Sequence, residues 1–360
     1  MVIQIFEISD TTDWDRQISQ MNGSLFLTRV FLKSIEDKDI KPVFFEFRKE
    51  DETIGRLSGI IRPVGKTTAK QLFFFSGVAG KYEDPNIVKE CKRSLLEYAR
   101  EKGYSRILFE SYDNMHFRRM PVKSMIKARD REEYVIDLTQ KTEKTIKAFD
   151  PNVRRLTRRA NEKGAVLKTG NSQKLLEELY EILHNTAKER LSKGYGKYDP
   201  LSMPFLGKDN LLKLLQTGLA EICYIDYKGD ILCMQYNLVI GNVIYGLFMG
   251  TRKEGYKIAA PSMLIFEATL QYIKKGFTRY NLGGVPREKI NQGIKKFKLS
   301  MGAKVIKSNQ EYSKFLLPPL SRLNSILTFK RYISNMRIPW VLKKRLIALT
   351  DLLLKGTDRY

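Results

Sequence analysis

The chain has 360 residues, 42% hydrophobic and 11% aromatic, with 64 Lys and Arg against 40 Asp and Glu, a formal net charge of +24. The length exceeds one ordinary hydrophobic core and the composition excludes a disordered chain, so two globular domains are expected. So large a positive excess calls for a polyanionic partner, whether RNA, an anionic membrane surface or phosphorylated sugars.

The three cysteines, Cys91, Cys223 and Cys233, have no metal-ligand spacing. They exclude a disulfide scaffold and a Cys-based zinc site, and read as free thiols in a reducing compartment. The N-terminus lacks the basic start and apolar core of a signal peptide. The longest apolar run, Tyr236 to Met249, is interrupted by Asn237, Gly241, Asn242 and Gly246 and is too short to span a bilayer. The expected location is cytoplasmic, in solution or peripheral on the inner face of the membrane.

Residues 1–9 alternate and predict a strand, and Thr12 or Asp13 caps a helix that follows. Pro42–Arg48 and Ile54–Ile61 read as a strand pair, Leu72–Val78 as another strand. Gly65-Lys66-Thr67-Thr68 imitates the end of a phosphate-binding loop, but the glycine required at position 60 is Ile60, so a basic hairpin loop is the better reading. A helix over 86–101 stops at Lys102-Gly103, and a strand runs over 104–110. Tyr134–Leu138 predicts a strand. Asp150-Pro151 then caps a helix carrying Arg154, Arg155, Arg158 and Arg159, whose spacing puts four guanidiniums on one face. That face is solvated, or else it receives phosphate, since four arginines without a carboxylate on the same face repel one another.

Helices over 175–188 and 211–219, a hairpin of 221–227 with 231–240, a strand over 243–249 and a helix over 260–275 follow. Leu95–Arg106 matches Ala268–Arg279 in helix, glycine stop, aromatic, hydroxyl and Arg, at an offset of 173 residues (Gly103 to Gly276). One αβ unit thus occurs twice. His116 and His184 lie far apart with no Ser or Cys motif nearby, and no metal-ligand cluster appears.

After Tyr280-Asn281-Leu282 come Gly283 and Gly284, which let backbone approach whatever lies above the strand end. Beyond Pro286, Ile290, Ile294, Phe297 and Met301 recur at helical spacing among Lys295, Lys296 and Lys298. By pattern alone this reads as a solvated basic helix after a glycine turn, although Lys298, between Phe297 and Leu299, is expected to point into a cleft.

The order strand, Leu282-Gly283-Gly284, linker, Gly293-Ile294-x-x-Phe297-Lys298-x-x-x-Gly302-Ala303 resembles the C-terminal signature of the Fem-type peptidoglycan aminoacyltransferases. That family follows its Phe-Lys pair with Phe-Gly or a similar dipeptide. Met301-Gly302 stands there in this chain and keeps the apolar plug. The segment from Asn152 to Ala165 resembles the stretch that opens the second domain of the same family.

The resemblance covers roughly residues 1–320. It implies an α/β (α+β) fold of two tandem GNAT-like (acetyltransferase-like) domains, each a mixed, mostly antiparallel sheet flanked by helices. The expected boundaries are 1–143, completed by 310–330, then 144–309, with a tail at 331–360 read as a basic amphipathic helix. That tail suits an anionic membrane surface or docking on the protein body.

The implied activity transfers an amino acid from aminoacyl-tRNA to an amine of a nucleotide-linked (UDP-linked) or lipid-linked peptidoglycan precursor, without metal or cofactor. Lys298 and Phe297 are the candidate catalytic residues and Arg190, Gly283, Gly284 and Tyr236 the candidate substrate-binding ones, with Arg190 placed by the resemblance at the acceptor diphosphate. Arg154, Arg155, Arg158, Arg159, Lys295 and Lys296 would meet tRNA phosphates. The basic loop 193–197 is a second candidate for the acceptor diphosphate, and Asp113 and Glu110 are candidate bases. Two rivals remain. A CoA- or carrier-dependent acyltransferase on the same fold is disfavoured by the turn at Arg252–Pro261, where Lys257, Ile258 and Pro261 break the phosphate-binding pattern. A non-catalytic RNA-binding protein would leave the 282–302 spacing unexplained.

Overall fold

The computed structural model describes residues 3–80, 84–115, 122, 125–192, 203–285, 292–335 and 340–353. The chain forms two compact units, Met1–Arg131 with Ser308–Tyr360, and Glu132–Lys307. In chain order the first part carries β1 (Gln4–Glu7), α1 (Trp14–Gln20), α2 (Arg29–Ser34), β2 (Lys41–Lys49), β3 (Glu52–Pro63), β4 (Lys70–Phe74), β5 (Ala79–Gly80), α3 (Pro85–Glu101) and β6 (Arg106–Phe109). Then come β7 (Met125–Asp137), α4 (Thr142–Ala148), α5 (Pro151–Glu162), β8 (Ala165–Gly170), α6 (Gln173–Ser192), α7 (Lys208–Gln216), β9 (Ala220–Tyr227), β10 (Asp230–Ile240), β11 (Val243–Thr251), α8 (Lys253–Lys257), α9 (Ala260–Lys274), β12 (Arg279–Gly284) and α10 (Gln292–Ser300). The last elements are β13 (Lys304–Ser313), α11 (Asn324–Asn335) and α12 (Trp340–Leu353).

The first unit orders its strands β1-β2-β3-β4-β6-β13, with β5 beside β3. All neighbours run antiparallel except β4 and β6, whose register pairs Gln71 with Arg106. The second orders them β8-β9-β10-β11-β12-β7, again antiparallel except one pair, β11 and β12, in which Val243 meets Arg279. The parallel joint recurs because the same device precedes it. α3 ends before Gly103 at φ +78°, α9 before Gly276 at φ +80°, and each helix carries the chain back across its sheet. The strands that follow start at Arg106 and Arg279, both buried. The sequence repeat is therefore a structural repeat.

Proline-led helix starts recur too. The Asp84 and Asp150 side chains accept from the amides of Asn86 and Asn152, each at 2.8 Å, with proline at the first helical position. The core of the first unit is aromatic, with Phe26, Phe31, Phe73 and Phe75 in edge-on and stacked contacts. That of the second packs α9 residues such as Met263, Leu264 and Tyr272 against Cys223, Cys233, Ile244 and Tyr280 of the sheet. The tail differs from expectation: it holds two helices, α11 and α12, with Pro339 between them in sequence where a continuous helix would break.

Candidate functional site

The site grows from the end of β12. Tyr280 anchors the strand, its buried hydroxyl donating to Gln235 Oε1 at 2.6 Å. Gly283 then turns the backbone at φ +73°. A Cβ there would lie 3.0 Å from the Gly246 carbonyl oxygen and 3.7 Å from the Tyr245 hydroxyl, so glycine is required both for conformation and for space.

α10 brings Lys298 back onto this turn. Its Nζ donates to the carbonyls of Leu282, Gly283 and Gly284 at 2.5, 3.0 and 3.0 Å, and lies 5.7 Å from the Tyr134 ring centroid. An ammonium has three protons, and three carbonyls of the Gly-Gly turn accept from it, so Lys298 holds that turn in shape. Phe297, beside it, is half-buried against the core. Met301 is fully buried as the plug, and Gly302 turns at φ +73° where a Cβ would meet Ala148 at 3.0 Å.

Under the turn lies a network that motif reading missed. The buried Glu133 carboxylate of β7 accepts from Tyr245 Oη at 2.6 Å and from Asn281 Nδ2 at 3.0 Å. Asn281 Oδ1 in turn accepts the Gly283 amide at 2.8 Å. Glu133, Asn281, Gly283 and Lys298 thus form one connected chain from the sheet to the turn. Its signal in the sequence was slight. Asn281 is one polar residue between Tyr280 and Leu282, and Glu133 closes a mixed-charge run that looks solvated.

Of the other expected residues, Lys295 is exposed and pairs with Glu132 at 3.0 Å. That hydrogen bond raises the Lys295 pKa and lowers that of Glu132, while burial foremost raises that of Tyr134. Lys296 is exposed. Tyr236 is fully buried and its hydroxyl donates to Leu211 O at 2.8 Å, so it shapes the fold beneath the surface. Burial pushes that hydroxyl's pKa up.

On α5, Arg155, Arg158 and Arg159 are exposed and Arg154 is half-buried. Contrary to the expectation of a face without counter-charge, Glu162 stands 3.6 Å from Arg158, one turn on. Arg155 Nη2 donates to Asn152 Oδ1 at 2.6 Å. Arg190 lies on α6, and the loop 193–197 and His116 fall outside the described residues. In the first unit Asp113 Oδ2 accepts the Leu25 amide at 3.2 Å, a structural duty, and Glu110 follows β6.

The turn that would hold a CoA diphosphate is built differently. Residues 253–257 coil into α8, and Ala259 takes φ +56° before α9. Ala259 N–H donates to Tyr256 O, Ser262 N–H to Ala259 O, and Pro261 has no amide proton. Arg252 is held by Glu178 at 3.2 Å and by the Ile231 carbonyl at 3.0 Å. The adjoining cleft of about 710 Å³ is lined by Glu178, Asp226, Asp230 and Glu254 against Lys174 and Arg252, an acidic excess unsuited to a pyrophosphate. Among the described residues no group of three or more His, Cys, Asp or Glu could hold a metal ion.

Residues 147–299 match the model of the acetyltransferase (GNAT) domain. Among solved structures the chain is similar to FemX, with a TM-score of 0.65 and 12% identity over 88% of this chain and 99% of that one. It is similar also to L-PGS from Bacillus licheniformis, with a TM-score of 0.51 and 14% identity over 97% and 98% of the two chains. A conserved protein of unknown function from Bacteroides thetaiotaomicron VPI-5482 gives 0.50 and 13%, over 86% and 98%. No curated protein matches the chain in sequence. The fold is thus two tandem GNAT-like domains, each a mixed, mostly antiparallel sheet flanked by helices.

Proposed function

We propose that the protein is a non-ribosomal aminoacyltransferase, moving an amino acid from aminoacyl-tRNA to an amine of a peptidoglycan precursor. The observation that carries this reading is the Lys298 ammonium fixed on the carbonyls of Leu282, Gly283 and Gly284, within the stretch that resembles the Fem-type signature. The fold shared with FemX supports it, as does a net charge of +24, which suits a tRNA donor.

The chemistry is aminolysis of an ester. The acceptor nitrogen attacks the carbonyl carbon, negative charge gathers on the carbonyl oxygen, and the ester C–O bond then breaks. The tRNA hydroxyl leaves with a proton and an amide remains. A fixed cation near that oxygen lowers the barrier without having to reorganise. Lys298 Nζ is fixed by the carbonyls of Leu282, Gly283 and Gly284. It serves as charge and scaffold; a protonated lysine has no lone pair with which to attack. Phe297 holds α10 against the core at this point. Arg155, Arg158 and Arg159 with Lys295 and Lys296 provide exposed cations for phosphates, and Arg190 is assigned to the acceptor diphosphate on the resemblance.

A second reading, acyl transfer from CoA, is favoured by the acetyltransferase domain match over 147–299. The occupied Arg252 and the closed start of α9 weigh against it. Mass spectrometry of a muropeptide precursor incubated with the protein and either charged tRNA or acetyl-CoA separates the two. The proposal expects a gain of one amino acid residue, dependent on charged tRNA. An acetyl gain from CoA, with none from tRNA, would transfer the protein to the second reading.

A further inference from the structure

The α11–α12 segment takes no part in that chemistry, and its surface is unusual. Phe329 and Tyr332, three apart on α11, are 52% and 63% exposed. On α12, Trp340 is 71% exposed, Leu342 50% and Leu349 54%. Leu342, Arg345 and Leu349 fall at i, i+3 and i+7, so an exposed arginine lies between two exposed leucines, with Lys344 exposed beside it. Ile333 and Thr350 are buried, the two helices pack on each other, and Ile326 of α11 packs against Val64, Phe315 and Leu320. Over 324–353 the cations are Lys330, Arg331, Arg337, Lys343, Lys344 and Arg345, against Asp351 alone.

We propose that α11–α12 docks on an anionic lipid surface, lying in the interface with its cations among headgroups and Trp340, Leu342 and Leu349 at the acyl boundary. Charge decides among occupants. A second copy would set this cationic surface against itself in a chain already at +24. A nucleic acid would neutralise the cations and leave the leucines in water. A bilayer of anionic lipid satisfies both features at once. Among the described residues no helix is long and apolar enough to cross a membrane, and the docking proposed here requires none. It stands independently of the transfer reaction.

The chain carries its own reporter. It has two tryptophans, Trp14, 1% exposed, and Trp340. Vesicles of phosphatidylcholine with about one-third phosphatidylglycerol should blue-shift the tryptophan emission and sediment with the full-length protein, whereas pure phosphatidylcholine should do neither. Trp340→Phe should abolish the shift and keep most sedimentation. Leu342→Ser with Leu349→Ser, and separately Lys343→Gln, Lys344→Gln and Arg345→Gln together, should each weaken sedimentation at least about tenfold. Circular dichroism of each variant verifies that it is folded. Three results would overturn the proposal: equal binding to neutral vesicles, binding to anionic vesicles that the serine variant leaves unchanged, or a blue shift produced by tRNA or by self-association instead of by lipid.

Discussion

Asn281→Asp changes one atom in the Glu133–Asn281–Gly283 chain and gives the sharpest test of it. Asn281 donates to Glu133 Oε2 at 3.0 Å and accepts from Gly283 N–H at 2.8 Å. An ionised aspartate would keep the second bond and set two carboxylates about 3 Å apart; at an effective dielectric of about 20 their repulsion is roughly 5 kcal/mol, about four pKa units. The pair would therefore hold one proton up to about pH 8. A protonated aspartate reproduces the asparagine pattern, its O–H donating to Glu133 and its C=O accepting from Gly283.

The sign follows directly. The folded variant binds a proton that the unfolded chain releases above about pH 4, so its stability falls as pH rises. The deficit relative to wild type should be about 4–5 kcal/mol at pH ~7.5 and about 2 at pH ~5.5, near 1.4 kcal/mol per unit. Urea unfolding of both proteins at several pH values measures it. A deficit that is absent, or that does not shrink on acidification, would refute the connected network.

Lys92 and Glu311 meet at 2.6 Å with both side chains almost wholly buried. Lys92→Met should cost about 3–5 kcal/mol in urea unfolding by leaving that carboxylate uncompensated, and a loss below about 1 would contradict the pairing. Gly283→Ala forces a left-handed backbone and a 3.0 Å contact with the Gly246 oxygen, so a loss of about 1–3 kcal/mol is expected by the same assay. Burial pushes the thiols of Cys91, Cys223 and Cys233 from an ordinary value near 9 up to about 12. A thiol reagent at neutral pH should label none in the native protein and all three in urea. Because the folded state keeps these protons between about pH 9 and 12, stability should fall as pH rises through that window. A Cys-to-Ala triple variant should flatten the decline.

What the sequence displayed were local patterns. Gly103 and Gly276 marked the repeated unit because both end a helix and turn to positive φ, a need that falls on single residues. The Leu-Gly-Gly turn and the Phe297-Lys298 pair were legible for the same reason, sixteen residues apart at most between donor and acceptor. Glu133 was not, because its partners Tyr245 and Asn281 lie 112 and 148 residues away and only the sheet brings them together. Tyr236 could be placed on a strand but not at a depth, since period-2 patterning separates faces and says little of which faces are covered. Spacing put Lys298 on α10 but left its partners open, and three carbonyls of the preceding strand take its protons. The Arg252 turn failed the phosphate pattern by sequence, and α8 and the Glu178 pairing supply the physical form of that failure.

The most direct measurement is the single-turnover rate of transfer from charged tRNA to a muropeptide precursor, compared among wild type, Lys298→Met and Arg252→Ala, each shown to be folded by its melting curve. If a fixed cation at the β12 turn carries the reaction, Lys298→Met should slow transfer by about 10²–10³ and Arg252→Ala by no more than about threefold. Transfer at the wild-type rate by Lys298→Met, or its collapse in Arg252→Ala alone, would contradict the account.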